Sequence, residues 1–214
     1  MKRLLLVFCA LAMTASFASA DVPDPSRCST TWDPVQRFYL CPDNYPDSNP
    51  DGANDCSAAS FSVTVANASG AIIPNAVVEI LLGGSEPGGS VEVCVNQTLT
   101  RNTESNGVAK FNLGGGGCNK RPGCAVIRAN GVVIRTWNVI VSADYVGTDN
   151  LGQPGLSDGR VAPADFSVFV GRYQGGVGAS SCHDYNNNGT TGPEDFSVFV
   201  AAYKGGVNIC TLVP

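Results

Sequence analysis

Val126-Ile127-Arg128-Ala129-Asn130-Gly131-Val132-Val133 spells out a β-hairpin. β-branched residues stand on both sides of a two-residue turn. Both turn positions need φ > 0, which Asn and Gly tolerate and other residues resist. Working outward, the same punctuation recurs. Phe61-Ser62-Val63-Thr64-Val65 alternates apolar and polar, as a half-buried strand does. Ala76 to Leu81, Val91 to Val95, Val108 to Leu113, Ala125 to Arg128 and Val132 to Val141 follow. Between them lie Ser69-Gly70, Gly83-Gly84, Asn106-Gly107 and Gly114 to Gly117. Short β-rich runs with turn dipeptides at this spacing predict a β-sandwich over residues 57–141.

Two segments of that region carry a resemblance. Gly70-Ala71-Ile72-Ile73-Pro74-Asn75-Ala76-Val77-Val78 is similar to the G-x-P-x-x-x-A-x-V stretch of prealbumin-like, carboxypeptidase-regulatory-like sandwiches. Thr103-Glu104-Ser105-Asn106-Gly107-Val108-Ala109-Lys110-Phe111 resembles their T-D-x-x-G-x-A-x-F hairpin. The resemblance implies a seven-stranded Ig-like module used as a spacer in secreted bacterial proteins, and it implies no chemistry.

The C-terminal region, residues 142–214, contains a repeat. Asp165-Phe166-Ser167-Val168-Phe169-Val170-Gly171-Arg172-Tyr173 returns 30 residues later as Asp195-Phe196-Ser197-Val198-Phe199-Val200-Ala201-Ala202-Tyr203. In each copy Phe, Phe, Val and Tyr fall at i, i+3, i+4 and i+7, one face of a helix. Pro163 and Pro193 suit the first helical position, and Gly175 and Gly205 suit the stops.

Before the second helix, Asp184-Tyr185-Asn186-Asn187-Asn188-Gly189-Thr190-Thr191-Gly192-Pro193-Glu194-Asp195 reads as a twelve-residue D-x-N-x-N-G-x₅-D loop. Calcium takes about six to eight oxygens, and this spacing aims positions 1, 3, 5, 7 and 12 at one point around a turn at Gly189. The predicted ligands are the side chains of Asp184, Asn186, Asn188 and Asp195 and the carbonyl of Thr190. A closing Asp, a helix directly after it and the duplication together resemble the type I dockerin repeat. That family implies calcium as the only cofactor and a cohesin-like protein domain as partner. Its recognition positions map to Pro163-Ala164 and Pro193-Glu194 here, where cellulosomal members carry Ser/Thr pairs.

The first copy departs from the pattern. Ser157 to Asp165 matches loop positions 4 to 12, and Asp144-Tyr145 is the counterpart of Asp184-Tyr185. A ten-residue insertion then separates position 1 from the rest, which a surface loop tolerates. Asp144, Asp158, the Arg160 carbonyl and Asp165 are the candidate ligands, with Asp149 or Asn150 for position 3. A shorter echo, Asp47-Ser48-Asn49-Pro50-Asp51-Gly52, reads as an acidic turn.

The N-terminus carries a different signal. Lys2 and Arg3, the apolar run Leu4 to Met13, and Ala18-Ser19-Ala20 predict a signal peptide over residues 1–20. The apolar run is about half of the roughly 20 residues a membrane span needs. Cleavage removes two of 13 basic residues and none of 18 acidic ones, taking the formal charge from −5 to about −7. That acidity argues against nucleic acid and anionic membranes as partners, and the lack of another long apolar stretch argues against membrane insertion. Residues 21–56, rich in Pro, Asp and Cys, read as a disulfide-tied leader. Of nine cysteines, eight remain after export, a disulfide set by compartment. Chain proximity favours Cys28 with Cys41 or Cys56, two of Cys94, Cys118 and Cys124 together, and Cys182 with Cys210. No CxxC pair and a single histidine argue against zinc.

Catalytic patterns are few. His183 stands alone beside the second loop, no G-x-S-x-G occurs, and Gly114 to Gly117 lacks the Lys of a phosphate loop. The expectation is therefore a mainly β, secreted or cell-surface, non-enzymatic protein with a small helical calcium-loop module. Three uses fit it: binding a cohesin-like domain, capping or joining copies of itself in a surface filament, or adhesion to extracellular polysaccharide.

Overall fold

The computed structural model describes residues 22–31, 37–41, 60–83, 91–94, 99–145, 157–175, 182–203 and 212–213. The acidic echo at 47–52, Asp149, Asn150, Cys56, Cys210 and the leader peptide lie outside these residues. The chain is mainly β, with two helices among the described residues, both near its C-terminus.

The described strands run in chain order: β1 Ser29–Thr30, β2 Phe38–Leu40, β3 Ser60–Thr64, β4 Val77–Leu82, β5 Val91–Cys94, β6 Thr100–Asn102 and β7 Val108–Asn112. They continue with β8 Gly115–Gly117, β9 Ala125–Ala129, β10 Val132–Trp137 and β11 Ile140–Ser142. After the helices α1 Pro163–Gly175 and α2 Pro193–Ala202 comes β12 Leu212–Val213. Four sheets result, in the orders β1-β3-β7, β10-β9-β4-β6, β11-β2 and β12-β5-β8.

The hairpin forms as its dipeptide requires. Asn130 and Gly131 take φ of 46° and 80°, and Val132 pairs with Ala129 across the turn. Asn130 does a second job. Its N–H donates to the Val77 carbonyl at 2.8 Å and its Oδ1 accepts the Val77 N–H at 2.9 Å, so the turn also clasps β4. Alternation then sorts the side chains. Ala125, Ile127 and Ala129 of β9 are wholly buried, as are Val78 of β4 and Val63 of β3. Phe61 and Phe111 stack at 5.4 Å across the β3–β7 pair. These residues share one core cluster.

The two segments singled out in the sequence meet through Thr103. Its buried hydroxyl donates to the Ile73 carbonyl at 2.7 Å and accepts the Ala76 N–H at 2.9 Å. Gly107, at φ 73°, lies where a Cβ would come within 2.8 Å of Ile72 Cβ. Only glycine fits both the conformation and the space.

The N-terminal segment contributes to the same core. Phe38 and Leu40 are buried, Phe38 packs on Trp137 at 5.3 Å and on Phe61 at 5.9 Å, and β2 runs parallel to β11. Parallel pairing needs a long crossover, and here about 100 residues intervene, so local pattern alone could not reveal it. At the other end, β12 pairs antiparallel with β5. The helical segment thus leaves β11 and returns to the β-structure through β12.

Disulfide pairing by chain proximity is overturned. Cys182 bonds Cys118, 64 residues away, with a Cα–Cα distance of 5.8 Å, and not Cys210. Cys41 and Cys94 are also disulfide-bonded, whereas Cys28 and Cys124 are buried free thiols. Pairing needs Cβ atoms roughly 4 Å apart, and folding sets that distance irrespective of sequence separation. Burial pushes both thiols above their usual pKa, which keeps them protonated and unreactive. Alkylation of the denatured, unreduced protein followed by peptide mapping should therefore label Cys28 and Cys124, with Cys118 and Cys182 labelled only after reduction. Label on Cys182 before reduction would contradict the bridge.

Candidate metal centre

The two helices begin the same way. Prolines occupy their first positions, and an aspartate two residues on turns back to cap each start. Asp165 Oδ2 accepts the Ala162 N–H at 2.9 Å, and Asp195 Oδ2 accepts the Gly192 N–H at 2.8 Å. The other oxygen reaches across to the start of the loop. Asp165 Oδ1 accepts the Tyr145 N–H at 2.9 Å, and Asp195 Oδ1 accepts the Tyr185 N–H at 2.6 Å. Loop position 12 is thereby bonded to loop position 2 in both copies.

Position 1 is placed equally alike. Asp184 accepts N–H bonds from Asn188 at 3.1 Å and Gly189 at 3.1 Å. Asp144 accepts them from Asp158 at 3.2 Å and Gly159 at 2.9 Å. Gly159 and Gly189 both take positive φ, 83° and 93°. Asp144 therefore stands to Asp165 as Asp184 stands to Asp195, despite the insertion. All four aspartates are fully buried.

The second loop curls by local side-chain turns. Asn186 Oδ1 accepts the Asn188 N–H at 3.0 Å, and Asn188 Oδ1 accepts the Thr190 N–H at 2.9 Å. Each such Asx turn bonds a side-chain oxygen to the backbone two residues on. Asp184, Asn186, Asn188 and Asp195 with the Thr190 carbonyl form a set of oxygens only, the chemistry of a hard cation. Asn186, Asn188 and Thr190 form the exposed rim.

The first loop is less converged. Asp158 is turned toward Arg160, whose Nε donates to its Oδ2 at 2.7 Å, while its buried Oδ1 has no hydrogen-bond partner among the described residues. Among the described residues, no three His, Cys, Asp or Glu side chains gather into a group able to hold a metal ion. The oxygen set of the second loop depends on amides and a carbonyl instead. In the first loop, burial pushes the Asp144 carboxyl up to about 9, with the Asp165 charge adding to it.

Some contacts have no sequence signature. Arg37, almost completely buried, donates from Nη2 to Asp184 Oδ2 at 3.0 Å and to Asn187 Oδ1 at 2.8 Å. Gly116 of β8 lies where a Cβ would fall 2.5 Å from Asp144 Oδ2, and the Gly117 N–H donates to the Asp144 carbonyl at 2.7 Å. The glycine run is therefore a close-approach strand for the first loop. His183 is buried, not solvated, and packs on Tyr145 at 4.3 Å and Phe169 at 6.2 Å. Burial lowers its pKa to about 4.

The helix faces also differ from expectation. Of the repeated aromatic residues described, Phe169 and Phe199 are the ones fully buried, stacked at 4.9 Å. Phe166, Tyr173, Phe196, Val200 and Tyr203 are each between 38% and 51% exposed.

Comparison with protein-family models, with curated proteins and with solved structures finds no match to this chain.

The sign of the pH dependence follows from Asp144. Its folded pKa, about 9, lies above the ~3.9 of an unfolded carboxyl. Its stabilisation is complete below the unfolded value and is lost as pH rises toward the folded one. His183 acts oppositely, and its contribution is complete above about pH 6.5. Between pH 7 and 8 Asp144 decides, so in chelator the protein should lose up to ~1.4 kcal/mol per pH unit. Urea midpoints at the two pH values check this, and Asp144→Asn should flatten the slope. A midpoint that rises with pH in the parent protein refutes it.

Proposed function

We propose that this protein is an exported, non-catalytic, calcium-binding interaction protein. In this reading an Ig-like sandwich carries a dockerin-like pair of calcium loops. The observation that supports it best is the duplication at the level of hydrogen bonds. Asp144/Asp165 and Asp184/Asp195 make the same four kinds of contact in two loops of different length. A solvated turn has no need to be built twice around two wholly buried carboxylates.

Calcium would supply the positive charge that these carboxylates face and would tie position 1 to position 12. Asp184, Asn186, Asn188, Asp195 and the Thr190 carbonyl would hold it in the second loop. Asp144, Asp165, the Arg160 carbonyl and Asp158, once released from Arg160, would hold it in the first. Two formal carboxylates in the second loop suggest dissociation constants of roughly 10⁻⁵ to 10⁻³ M, from the weak end of sensor sites through the extracellular modules.

The partner is a protein. Phe166, Phe196 and Val200 expose apolar surface on adjacent helices, a surface type that marks protein contacts. A cohesin-like domain or another copy of this chain suits it. Attachment of the loop pair to the β-structure by Cys118–Cys182 and by Arg37–Asp184 favours the role of a rigid cap in an extracellular assembly over that of a module on a loose tether. The polysaccharide-adhesin reading loses its main candidate, since Trp137 is 4% exposed and offers no ring to a sugar. Among the described residues, no helix is long and apolar enough to cross a membrane.

Thermal melts of the oxidised protein in EGTA and in millimolar calcium test the ion. Wild type should melt higher in calcium, gaining about 2.7 kcal/mol at 100 times the dissociation constant. Asp195→Ala should lose the share of the second loop, and Asp165→Ala that of the first. Identical wild-type melts would sink the calcium reading. For the partner, Phe166→Ser with Phe196→Ser should abolish capture by a cohesin panel or self-association in sedimentation, with the melting temperature in calcium retained.

A further inference from the structure

Each loop carries a tyrosine directly after its first aspartate, and these tyrosines meet. The Tyr145 and Tyr185 hydroxyls lie 2.7 Å apart, and both side chains are 2% exposed or less. At its backbone end, each tyrosine donates its N–H to the aspartate that closes its own loop, Asp165 or Asp195. A continuous path therefore runs from one closing carboxylate to the other: Asp165, Tyr145, Tyr185, Asp195. We infer that Tyr145 and Tyr185 are positioning residues that couple the two loops, so that an ion in one raises the affinity of the other. The inference rests on the calcium reading given above.

The path is stiff at every step. A tyrosine side chain has two rotatable bonds and a rigid ring, so moving the backbone at loop position 2 moves the hydroxyl with it. Packing removes the remaining freedom. The Tyr185 ring stacks on Phe169 at 6.3 Å with planes 8° apart, and Tyr145 sits edge-on to His183 at 4.3 Å. The Tyr185 hydroxyl also reaches the Ser142 carbonyl at 3.5 Å, whereas separation of the pair would strand the Tyr145 hydroxyl in the interior, which carries a desolvation cost. An ion that draws in Asp195 also fixes the Tyr185 N–H that Asp195 accepts, and with it the position of the shared hydroxyl bond. The first loop then has less left to order when its own ion arrives. Coupling of this kind is reciprocal.

The pair is also placed symmetrically. Tyr145 and Tyr185 are equivalent positions of the repeat, as are Phe169 and Phe199, which stack on each other at 4.9 Å. Both loops thus act through the same kind of contact, and neither Arg37 nor Arg160 lies on the path.

Calorimetric titration with calcium of the full oxidised chain, as wild type, Tyr145→Phe, Tyr185→Phe and the double variant, tests this. Melts in EGTA establish that each variant is folded. Wild type should take two ions, the second about five-fold or more tighter than the first. Each single variant should still take two, with coupling reduced to less than about two-fold. Because both substitutions delete one bond, the double variant should lose no more coupling than either single one. A purely packing role predicts unchanged coupling in the phenylalanine variants, and that result overturns the inference. Two independent ions in wild type overturn it while leaving the calcium reading intact, and so does a single ion. Absence of calcium binding overturns both.

Discussion

Four aspartates with no measurable exposure organise the C-terminal third of this chain. Removing an ionised carboxylate from water costs several kcal/mol unless charges or hydrogen bonds replace the lost hydration. Here backbone N–H groups provide the replacement. Asp165 and Asp195 each accept from a helix start and from a loop start, so one side chain sets where the helix begins and how the loop closes. Asp144 and Asp184 accept the two N–H groups at and before the positive-φ glycine, which sets the curl of the loop. Helix start, loop curvature and the approach of the two repeats all follow from satisfying these oxygens. The replacement is incomplete at Asp144, where burial raises the pKa and the Asp165 charge adds to the shift.

The position of the loops on the β-structure follows from the same need. A buried carboxylate requires walls, and the first loop takes one from β8, where Gly116 has no side chain to obstruct Asp144. The second loop takes Arg37, which lies beside β2 and reaches Asp184 and Asn187. The loops are therefore unequal despite their common pattern. One faces a bare glycine backbone and holds the Asp144 and Asp165 carboxyls near one another, while the other has a guanidinium against its first aspartate. The Cys118–Cys182 bridge and the β12–β5 pairing close the chain on either side of this contact. The glycine run, the leader strand and the disulfide thus serve one arrangement.

Legibility in the sequence tracked the range of the interaction. Strands with period-2 burial, such as β3 and β9, were readable because the pattern lies within five residues. Asn130-Gly131 and the prolines at 163 and 193 were readable because φ is a property of single residues. The pairing of Asp144 with Asp165 across an insertion was readable only through the repeated Asp-Tyr dipeptide. The unread features are the ones that depend on distant partners. β2 is three residues long and pairs in parallel with a strand about 100 residues later, and β8 consists of glycine with no pattern to read. Arg37 looks like any basic residue of a polar leader. The cysteines were misassigned because proximity in chain was used for proximity in space.

Duplication explains the exposed aromatic face. Two copies of Asp-Phe-Ser-Val-Phe-Val force the same residues onto both helices, whatever each environment requires. One phenylalanine per helix, Phe169 or Phe199, reaches the shared interface and disappears from solvent. Its partner three residues earlier lies about 60° round the helix, since each residue advances roughly 100°. Phe166 and Phe196 therefore sit at the rim of the contact, not in it. Each still touches the opposite buried ring, at about 6.0 Å, which orients it and leaves its outer face in water. Small helical pairs have too little interior to hide four such rings. Either sequence drift replaces the rim residues with polar ones, or an external surface covers them. Both copies retain phenylalanine at that position, together with tyrosine at the end of each helix. The same apolar rim thus stands in two copies that differ elsewhere, through a ten-residue insertion and an Arg160/Thr190 exchange, because the helix phase that buries one phenylalanine leaves the other at the edge.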